Sequence, residues 1–406
     1  MEHTIVGIDV GSSKICTLVG EVDDEGSLCV IGVGLVPSRG VRKGVVVNVV
    51  DVTTAIAASV EKAERTSGYK IERAYVSLSG THVSSLNSRG VVGISRREHG
   101  ITVEDVNRTL DAARAIAVPH NREVVHVIPR GYVVDGQSGV RDPVGMYGFR
   151  LEVEAHIVTG SSTSIQNLVK CVEGAGVEVD ELVLASIAAG DAVLTDTERE
   201  MGVVLADIGA GITDIAIFID GTVWHTVTLG VGGEYITGDI AVGLRLPPGI
   251  AERVKVQYGH ACAAQVPPEG RFSVSPFDGE TPQVVPRWKL AEIIEARAQE
   301  ILSMIQQEIK RSGYDGLLPA GVVLCGGTAQ LSGLQELGRD VLGLPVRVGV
   351  PRELRGLVDT ISNPAHAVGA GLMEWGVTAG TRPQLRNPGP GPGRRFLDWL
   401  RVFLPG

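Results

Sequence analysis

Several features that often identify a protein's class are absent from this sequence. Its five cysteines lie far apart and form no C-x-x-C pair, which excludes the common zinc and dithiol motifs and favours a reducing compartment. No stretch approaches the roughly 18 uninterrupted apolar residues that a membrane-spanning helix needs. The first predicted strand, residues 5–10, begins almost at once, so we expect no secretion signal.

Positive charge and two familiar nucleotide motifs are also lacking. The chain carries 37 Lys and Arg against 47 Asp and Glu, a formal net charge of −10, with no large basic patch, so we expect no nucleic-acid partner. It contains no G-x-x-x-x-G-K-[ST] sequence, which excludes the P-loop class. No G-x-G-x-x-G sequence opens its first helix, which argues against dinucleotide binding.

Glycine, by contrast, is abundant, at 53 of 406 residues, and 44% of residues are hydrophobic, so we predict a globular chain with many tight turns. The length allows two or three domains. Segments of helical periodicity, such as 163–173 and 289–311, alternate with β-branched runs at residues 5–10, 15–20, 28–36, 74–78, 203–208, 212–219 and 322–325. This alternation predicts an α/β fold, and the Pro- and Gly-rich residues 265–286 predict a surface loop.

One short pattern occurs twice. Ile8-Asp9-Val10-Gly11-Ser12-Ser13-Lys14 and Ala206-Asp207-Ile208-Gly209-Ala210-Gly211-Ile212-Thr213 both read strand, aspartate, apolar residue, glycine turn and strand. The two aspartates are 198 residues apart in the sequence, which predicts two related halves facing each other across a cleft. For either turn taken alone, coincidence in a glycine-rich chain is the simpler explanation.

Both turns have the composition of a polyphosphate clamp. Backbone N–H groups can approach a phosphate only where side chains do not crowd them, as in Gly11-Ser12-Ser13 and Gly209-Ala210-Gly211. Lys14 follows the first turn and can offset phosphate charge. Asp9 and Asp207 lead the two turns, and with Asp214 they are predicted to hold Mg²⁺ through water.

A third glycine segment follows the apolar run at residues 322–324. It reads Cys325-Gly326-Gly327-Thr328-Ala329-Gln330-Leu331 and precedes a predicted helix. Bare backbone there can lie against a flat adenine or a ribose. On spacing and composition alone, three unrelated strand-to-turn junctions remain the alternative.

These segments resemble motifs of a known superfamily. The two aspartate turns are similar to the phosphate-1 and phosphate-2 motifs of actin-like proteins, and the third segment is similar to their adenosine motif. Within that superfamily the chain resembles the FtsA family of bacterial cell-division proteins over roughly residues 4–376 plus the tail. The motifs that carry this resemblance are Pro37-Ser38-Arg39-Gly40, Ser79-Gly80-Thr81-His82, His126-Val127-Ile128-Pro129, Asp239-Ile240-Ala241, Ala251-Glu252-Arg253-Val254-Lys255-Val256 and Asn363-Pro364-Ala365-His366-Ala367-Val368-Gly369.

The resemblance implies an actin-like, ribonuclease H-like duplicated fold with two halves around a cleft that binds ATP and Mg²⁺. It also implies that Glu252 and Lys255, on one helix face, reach the nucleoside, although a solvated ion pair would have the same spacing. The implied lobes are 1A at 1–83 and 163–195, an FtsA-type, SHS2-like 1C at 84–162, 2A at 196–235 and 313–377, and 2B at 236–312. The predicted nucleotide contacts are Gly11, Ser12, Ser13, Lys14, Gly209, Ala210, Gly211, Thr213, Gly232, Gly233, Glu252, Lys255, Gly326, Gly327, Thr328 and Gln330.

Two departures from the family pattern bear on nucleotide binding and turnover. Ala210 and Thr328 stand where glycines are usual. A methyl group at Ala210 is tolerated if its φ is negative, so we expect binding to survive. Residues 184–190 lack the Glu or Gln that orients an attacking water in active relatives, and Asp191 is a poor substitute. We therefore expect slow or absent hydrolysis.

The end of the chain has the composition of a membrane anchor. Residues 378–393 are rich in Pro and Gly and predict an extended tether. At 100° per residue, one helical arc then holds Phe396, Leu397, Trp399, Leu400, Phe403 and Leu404, opposite Arg394, Arg395 and Arg401. Roughly eleven helical residues are too few to cross a bilayer but suit its interface. Residues 394–406 thus predict a membrane-targeting helix on anionic lipid, with docking on the protein itself or on a partner as the alternative.

Taken together, the patterns predict an adaptor. By resemblance, the chain polymerises into actin-like protofilaments and tethers FtsZ filaments to the inner face of the cytoplasmic membrane at the division septum. The implied FtsZ contact is its C-terminal peptide on lobe 2B, where Lys289, Arg297 and Arg311 are candidates, and later division proteins would bind lobe 1C. The alternatives are a small-metabolite kinase, a chaperone-like ATPase, for which too few residues follow 376, and a pilus-assembly actin homologue.

Overall fold

The computed structural model describes residues 3–23, 26–94, 100–115, 118–275, 282–352, 354–357 and 361–378. Their strands are β1 His3–Val10, β2 Lys14–Val22, β3 Leu28–Pro37, β4 Val41–Arg42, β5 Val45–Val46, β6 Arg73–Leu78, β7 Ser84–Gly93, β8 Arg122–Val134, β9 Gln137–Val140, β10 Arg150–Ser161, β11 Glu178–Leu184, β12 Val203–Ile208, β13 Thr213–Ile219, β14 Thr222–Leu229, β15 Arg271–Val274, β16 Gln283–Pro286, β17 Val322–Cys325, β18 Val346–Val348 and β19 Arg355–Gly356. Their α-helices are α1 Val49–Ser67, α2 Val103–Arg114, α3 Ser162–Gly174, α4 Ala185–Val193, α5 Asp196–Met201, α6 Gly233–Leu244, α7 Pro248–Tyr258, α8 Arg287–Ser312, α9 Leu334–Leu342 and α10 Ala367–Thr378.

Two sheets follow the same strand path. In the first, the antiparallel strands β3-β2-β1 are continued by β6 and β11, which run parallel to β1. In the second, the antiparallel strands β14-β13-β12 are continued by β17 and β18, which run parallel to β12. The registers correspond as well, because Asp9 pairs with Cys16 and Asp207 with Asp214. The predicted α/β class and the predicted duplication are therefore confirmed.

Helix boundaries follow local capping and periodicity. The side chain of Asn48 accepts from the amides of Val50 and Asp51 to start α1, and Gly68, with a φ of 71°, ends it. The buried face of α1 is formed by Val52, Ile56, Ser59, Val60 and Ala63. The helices predicted at 163–173 and 289–311 are confirmed as α3 and α8.

The prediction of a surface loop over residues 265–286 is only partly correct. It contains the antiparallel pair β15–β16, in which Phe272, Val274 and Val285 are buried. The ring of Phe272 stacks on Tyr258 with a centroid separation of 4.7 Å. The apolar side chains of this segment alternate along the chain and pack on α7, and this pattern favours strands despite the local Pro and Gly content.

Helices α4 and α10 cross between the two sheets. Their buried faces pack together with side chains from both sheets, including Val183 and Leu205. A Cβ on Gly371 would lie 1.7 Å from the carbonyl oxygen of Ala188, so the crossing requires glycine at that position. The two halves are therefore joined through a close helix contact rather than through a loop.

A third sheet, β7-β10-β8-β9, carries α2 on one face and has a core of its own. It docks on β14, where Ser85 Oγ donates to the Thr226 carbonyl at 2.8 Å and His156 Nε2 lies 3.0 Å from Thr226 Oγ1. Burial lowers the pKa of His156 to about 3, so the imidazole is neutral in this interface. This four-stranded unit falls within the predicted 84–162 lobe.

Candidate functional site

The two predicted turns face each other across one cavity of about 680 Å³. Asp9 and Asp207 line it together with residues 11–14 and 209–212, here called the first turn and the second turn. A Cβ on Gly211 would lie 3.0 Å from Ser12 Oγ, so the two turns are in near contact. The predicted opposition of the duplicated turns is thus present in the fold.

Each turn closes with the same hydrogen bond. The Gly11 amide donates to the Lys14 carbonyl at 3.1 Å, and the Gly209 amide donates to the Ile212 carbonyl at 3.0 Å. The backbone N–H groups of the residues between these positions take no part in this bond. Within the part of the chain that the structure describes, no carbonyl or side chain accepts from the amides of Ser12, Ser13, Ala210 and Gly211.

This set of four amides is suited to an anion. Successive N–H groups without protein acceptors form the kind of concave donor cluster that binds phosphates. Ala210 is not among the non-glycine residues with positive φ, so its methyl group is accommodated without strain. The loss of the family's usual glycine at this position therefore leaves the donor cluster intact.

The third glycine segment, residues 325–331, packs on the second turn and is hydrogen-bonded to it. Gly326 has a φ of 84°, and a Cβ there would lie 2.3 Å from Asp207 Oδ1, so only glycine fits. Its amide donates to the Pro364 carbonyl at 2.9 Å. Thr328 Oγ1 donates to the Gly209 carbonyl at 2.9 Å. The threonine that replaces a usual glycine thus links two parts of the cavity wall.

Glu252 and Lys255 also line the cavity, as do Gly327 and Gln330 of the third glycine segment. Lys255 Nζ donates to the Gly233 carbonyl at 3.1 Å and lies 2.7 Å from the Glu252 carboxylate. The Lys255 side chain is only 13% exposed. The Glu252 side chain is 48% exposed, so Lys255 is the buried member of the pair, and the Glu252 carboxylate and the Gly233 carbonyl hold it in the cavity wall.

Three buried carboxyl groups near the turns have little positive charge nearby to compensate for their burial. Burial, together with the charges of Asp214 and Asp9, raises the pKa of Asp207 to about 8 against the opposing effect of Lys14. Burial raises the pKa of Asp214 to about 7, although Thr228 donates a hydrogen bond to it. Burial also raises the pKa of Asp9. Such a group of carboxylates is suited to a nearby cation.

The carboxylates do not form a direct metal cage. Among the described residues, no three His, Cys, Asp or Glu side chains are grouped closely enough to hold one metal ion. Asp9 instead accepts a hydrogen bond of 2.9 Å from Ser77 Oγ. The contact to Mg²⁺ therefore stays a prediction of binding through water.

Two predicted nucleotide contacts, Thr213 and Gly232, do not line the cavity. Thr213 is fully buried and its Oγ1 donates to the Val231 carbonyl at 2.9 Å. Gly232 precedes α6, and a Cβ there would lie 2.6 Å from the carbonyl oxygens of Gly209 and Ala210. Both residues support the second turn from behind, which their place in the sequence motif did not distinguish.

Other residues that line the cavity were not predicted from the sequence. Ser79, Ile236 and Ala365 line the cavity, and Lys14 Nζ donates to the Ala365 carbonyl at 2.5 Å. Ser79 and Ala365 belong to motifs quoted for the family resemblance, so their motifs were a usable signal. Ile236 follows an unremarkable helical pattern, and only the fold brings it to the site.

Asp191, the poor substitute for a water-orienting residue, is engaged elsewhere. Its carboxylate pairs with Arg199 at 2.8 Å and its side chain is 9% exposed. It does not line the cavity, whereas Ala185 at the start of α4 does. The position of Asp191 therefore agrees with the expectation from sequence that it is a poor substitute for a water-orienting residue.

The candidate peptide-binding cations on α8 differ in their partners. Arg297 pairs with both Asp239 and Glu300 at 2.6 Å. Arg311 pairs with Glu308 at 3.3 Å. Lys289 is exposed and, among the described residues, forms no ion pair. Of the three, Lys289 has the charge that is free for another molecule.

The predicted tether and targeting helix, residues 378–406, fall outside the described residues apart from Thr378. Their assignment to the membrane therefore stays a prediction. Within the described part of the chain, no helix combines the length and the apolar character needed to cross a bilayer.

Comparison with known proteins gives the family. The model "Cell division protein FtsA" matches residues 204–371, and the model "SHS2 domain inserted in FTSA" matches residues 80–159. The chain is 43% identical over 373 residues to the cell division protein FtsA of Pseudomonas aeruginosa, covering 92% of this chain and 89% of that one. The chain belongs to the FtsA family. It is also 40% identical to FtsA of Bacillus subtilis, over 91% of this chain and 82% of that one.

Solved structures share the fold at low sequence identity. A PilM-PilN type IV pilus biogenesis complex gives a TM-score of 0.66 at 16% identity, covering 92% of this chain and 98% of that one. MreB5 of Spiroplasma citri bound to ADP gives 0.55 at 14% identity, covering 93% and 97%. This FtsA-family chain is thus an actin-like cell division protein, and the SHS2 match coincides with the β7-β10-β8-β9 sheet.

Proposed function

We propose that the cavity binds ATP, with the phosphates between the first and second turns and the nucleoside against Glu252 and Lys255. The observation that carries this proposal is that the two facing turns line one cavity and hold four amides without an acceptor among the described residues. Ile236, Val256 and Leu331 add apolar wall, which suits a base. The ADP-bound MreB5 structure supports the same use of the fold.

Mg²⁺ is proposed as the second component of the site. Asp9, Asp207 and Asp214 lie at the cavity wall and, in the described part of the chain, form no ion pair. Water molecules held by these carboxylates would complete the coordination that Mg²⁺ prefers. When bound, the ion would supply positive charge to the phosphate oxygens. Because Asp191 is held by Arg199, we infer that hydrolysis is slow and that the nucleotide acts mainly as a structural ligand.

The nucleotide-bound chain is proposed to act as an adaptor at the division septum. It would polymerise into actin-like protofilaments, hold FtsZ through the region that contains Lys289, and attach to anionic lipid on the inner face of the cytoplasmic membrane through residues 394–406. The family membership supports the division role, and the net side-chain charge of +2 on residues 394–406, from three arginines against one aspartate, supports the lipid contact. Later division proteins are assigned to the four-stranded lobe.

Equilibrium binding of a fluorescent ATP analogue with Mg²⁺ tests the nucleotide site. Gly211→Val should weaken binding strongly, because even a Cβ there lies 3.0 Å from Ser12 Oγ and 3.4 Å from the Lys43 backbone nitrogen, so the larger valine side chain would push the two turns apart. Gly238→Ala on α6 is a matched control, since a Cβ there meets nothing within 4 Å. Failure of the unaltered chain to bind, or unchanged binding by Gly211→Val, would refute the site.

Co-sedimentation with anionic vesicles tests the anchor. Full-length protein should pellet with the vesicles, and a chain ending at residue 393 should stay in the supernatant while retaining ATP binding. Electron microscopy of both chains on a lipid monolayer with ATP should show filaments only for the full-length protein. Equal sedimentation of the two chains would exclude residues 394–406 as the anchor.

A further inference from the structure

The β4–β5 hairpin lies against the cavity from the side of the first half. Its two-residue turn is Lys43-Gly44, with φ values of 51° and 73°, as in the tight turns of type I′ hairpins. A positive φ at a lysine is uncommon and persists where neighbouring structure holds it. Here a Cβ on Gly44 would lie 2.6 Å from Gly80 Cα, so the hairpin tip packs directly on the segment that follows β6.

The hairpin tip contacts both turns. The Gly44 amide donates to Ser12 Oγ at 3.4 Å. A Cβ on Gly211 would lie 3.4 Å from the backbone nitrogen of Lys43. Ser12 and Gly211 both line the cavity and both offer free amides, so the Lys43 backbone lies beside the phosphate end of the proposed site.

The Lys43 ammonium has only a weak partner. Its Nζ lies 5.3 Å from the ring centroid of Tyr235, near the start of α6 in the second half. The residue is half-buried, and within the described ranges it forms no ion pair. A single cation–π contact at a partly exposed site is weak, and the four-carbon stem can swing. Lys43 is not among the residues that line the cavity, so its charge reaches a ligand there only if the stem swings inward.

The phosphate end of the cavity has few cations of its own. Asp9, Asp207 and Asp214 bring negative charge there, and Lys14 is bonded to the Ala365 carbonyl. A nucleoside triphosphate carries more negative charge than a diphosphate, and the additional charge is on its terminal phosphate. A second cation beside the turns would therefore act most strongly on that group.

We propose that Lys43 contacts the terminal phosphate of a bound nucleoside triphosphate and gives the site a preference for triphosphate over diphosphate. The inference rests on the proposed nucleotide function and adds a specificity-determining residue to it. The ammonium would leave the Tyr235 ring for the phosphate, while the backbone of the hairpin stays packed on Gly80. Lys43 was not among the residues predicted from the sequence.

Equilibrium binding of ATP and of ADP, each with Mg²⁺, tests the contact on the full-length chain. Lys43→Asn removes the charge and keeps a residue type that tolerates positive φ. It should weaken ATP binding roughly tenfold or more and change ADP binding less than about twofold. Lys43→Arg should restore the preference for ATP. Lys70→Ala, at an exposed lysine of the same half, is the control and should leave both affinities unchanged.

The outcomes separate the two proposals. Equal weakening of ATP and ADP, or no weakening of either, in a Lys43→Asn chain with an unaltered melting temperature would refute the terminal-phosphate contact and leave the nucleotide site in place. A failure of Lys43→Arg to restore the preference would also count against it. If the unaltered chain binds neither nucleotide, the proposed function fails, and the Lys43 contact fails with it.

Discussion

Replacing Asp207 with asparagine should stabilise the nucleotide-free protein and weaken its binding of Mg²⁺-ATP. Asp207 as a residue is 9% exposed, and its carboxyl group lies near Asp214 and Asp9 and has a pKa raised from 3.8 to about 8. Because the folded-state pKa is above the unfolded value, the folded chain retains a proton that the unfolded chain loses between roughly pH 4 and pH 8. The free energy of unfolding therefore falls as the pH rises through that window.

The size of this effect follows from the same pKa. One pKa unit corresponds to about 1.36 kcal/mol, so a rise from 3.8 to about 8 sets an upper limit near 5 kcal/mol at pH 8. The cavity is partly open to solvent, and water there screens the charge. We therefore expect Asp207→Asn to raise the free energy of unfolding by about 1–2 kcal/mol at pH 8 and by only about a third of that at pH 5, which is closer to the unfolded pKa of 3.8.

Urea unfolding of the nucleotide-free chain at pH 5 and pH 8 measures the effect. Asp191→Asn is the matched control, because that buried carboxylate is paired with Arg199 and its loss should destabilise the protein at both pH values. Mg²⁺-ATP should stabilise the unaltered chain more than the Asp207→Asn chain. A less stable Asp207→Asn chain at pH 8 would refute the view of Asp207 as an uncompensated buried charge.

Three further substitutions have defined expectations. Gly326→Ala should cost more than about 2 kcal/mol in unfolding free energy, because φ is 84° and the new Cβ would lie 2.3 Å from Asp207 Oδ1. Thr328→Val removes the hydrogen bond to the second turn and should cost about 1 kcal/mol, with a loss of ATP affinity measured by titration. Arg141→Ala breaks an ion pair with Glu200 that is mostly exposed, and should change the free energy of unfolding by less than about 1 kcal/mol.

Each of these expectations has a clear contrary result. A neutral Gly326→Ala chain would mean that the third glycine segment can move away from Asp207. Full ATP affinity in Thr328→Val would show that the link to the second turn does not shape the site. A large loss in Arg141→Ala would mean that the contact between the four-stranded lobe and α5 stabilises the fold more than its exposure indicates.

Sequence reasoning located the turns because their signals are local. Asp9 and Asp207 each stand at the end of an apolar run followed by small residues, and such patterns depend on near neighbours in the chain. The role of Thr328 was not accessible in this way, because its hydroxyl bonds to a carbonyl 119 residues away. The same holds for Thr213, whose position in the motif suggests a ligand contact although its side chain faces the interior.

The sequence by itself determined the strand and helix pattern, the duplicated turns and the family, since periodicity, turn chemistry and motif spacing are properties of short stretches. The tertiary structure decided which side chains meet: the crossing of α4 and α10 brings the two turns to one cavity, and the β4–β5 hairpin places Lys43 beside them. The physical reason is that burial and charge coupling arise between residues far apart in the chain. The pKa of Asp207 depends on Asp9 and Lys14, which lie in the other half of the molecule.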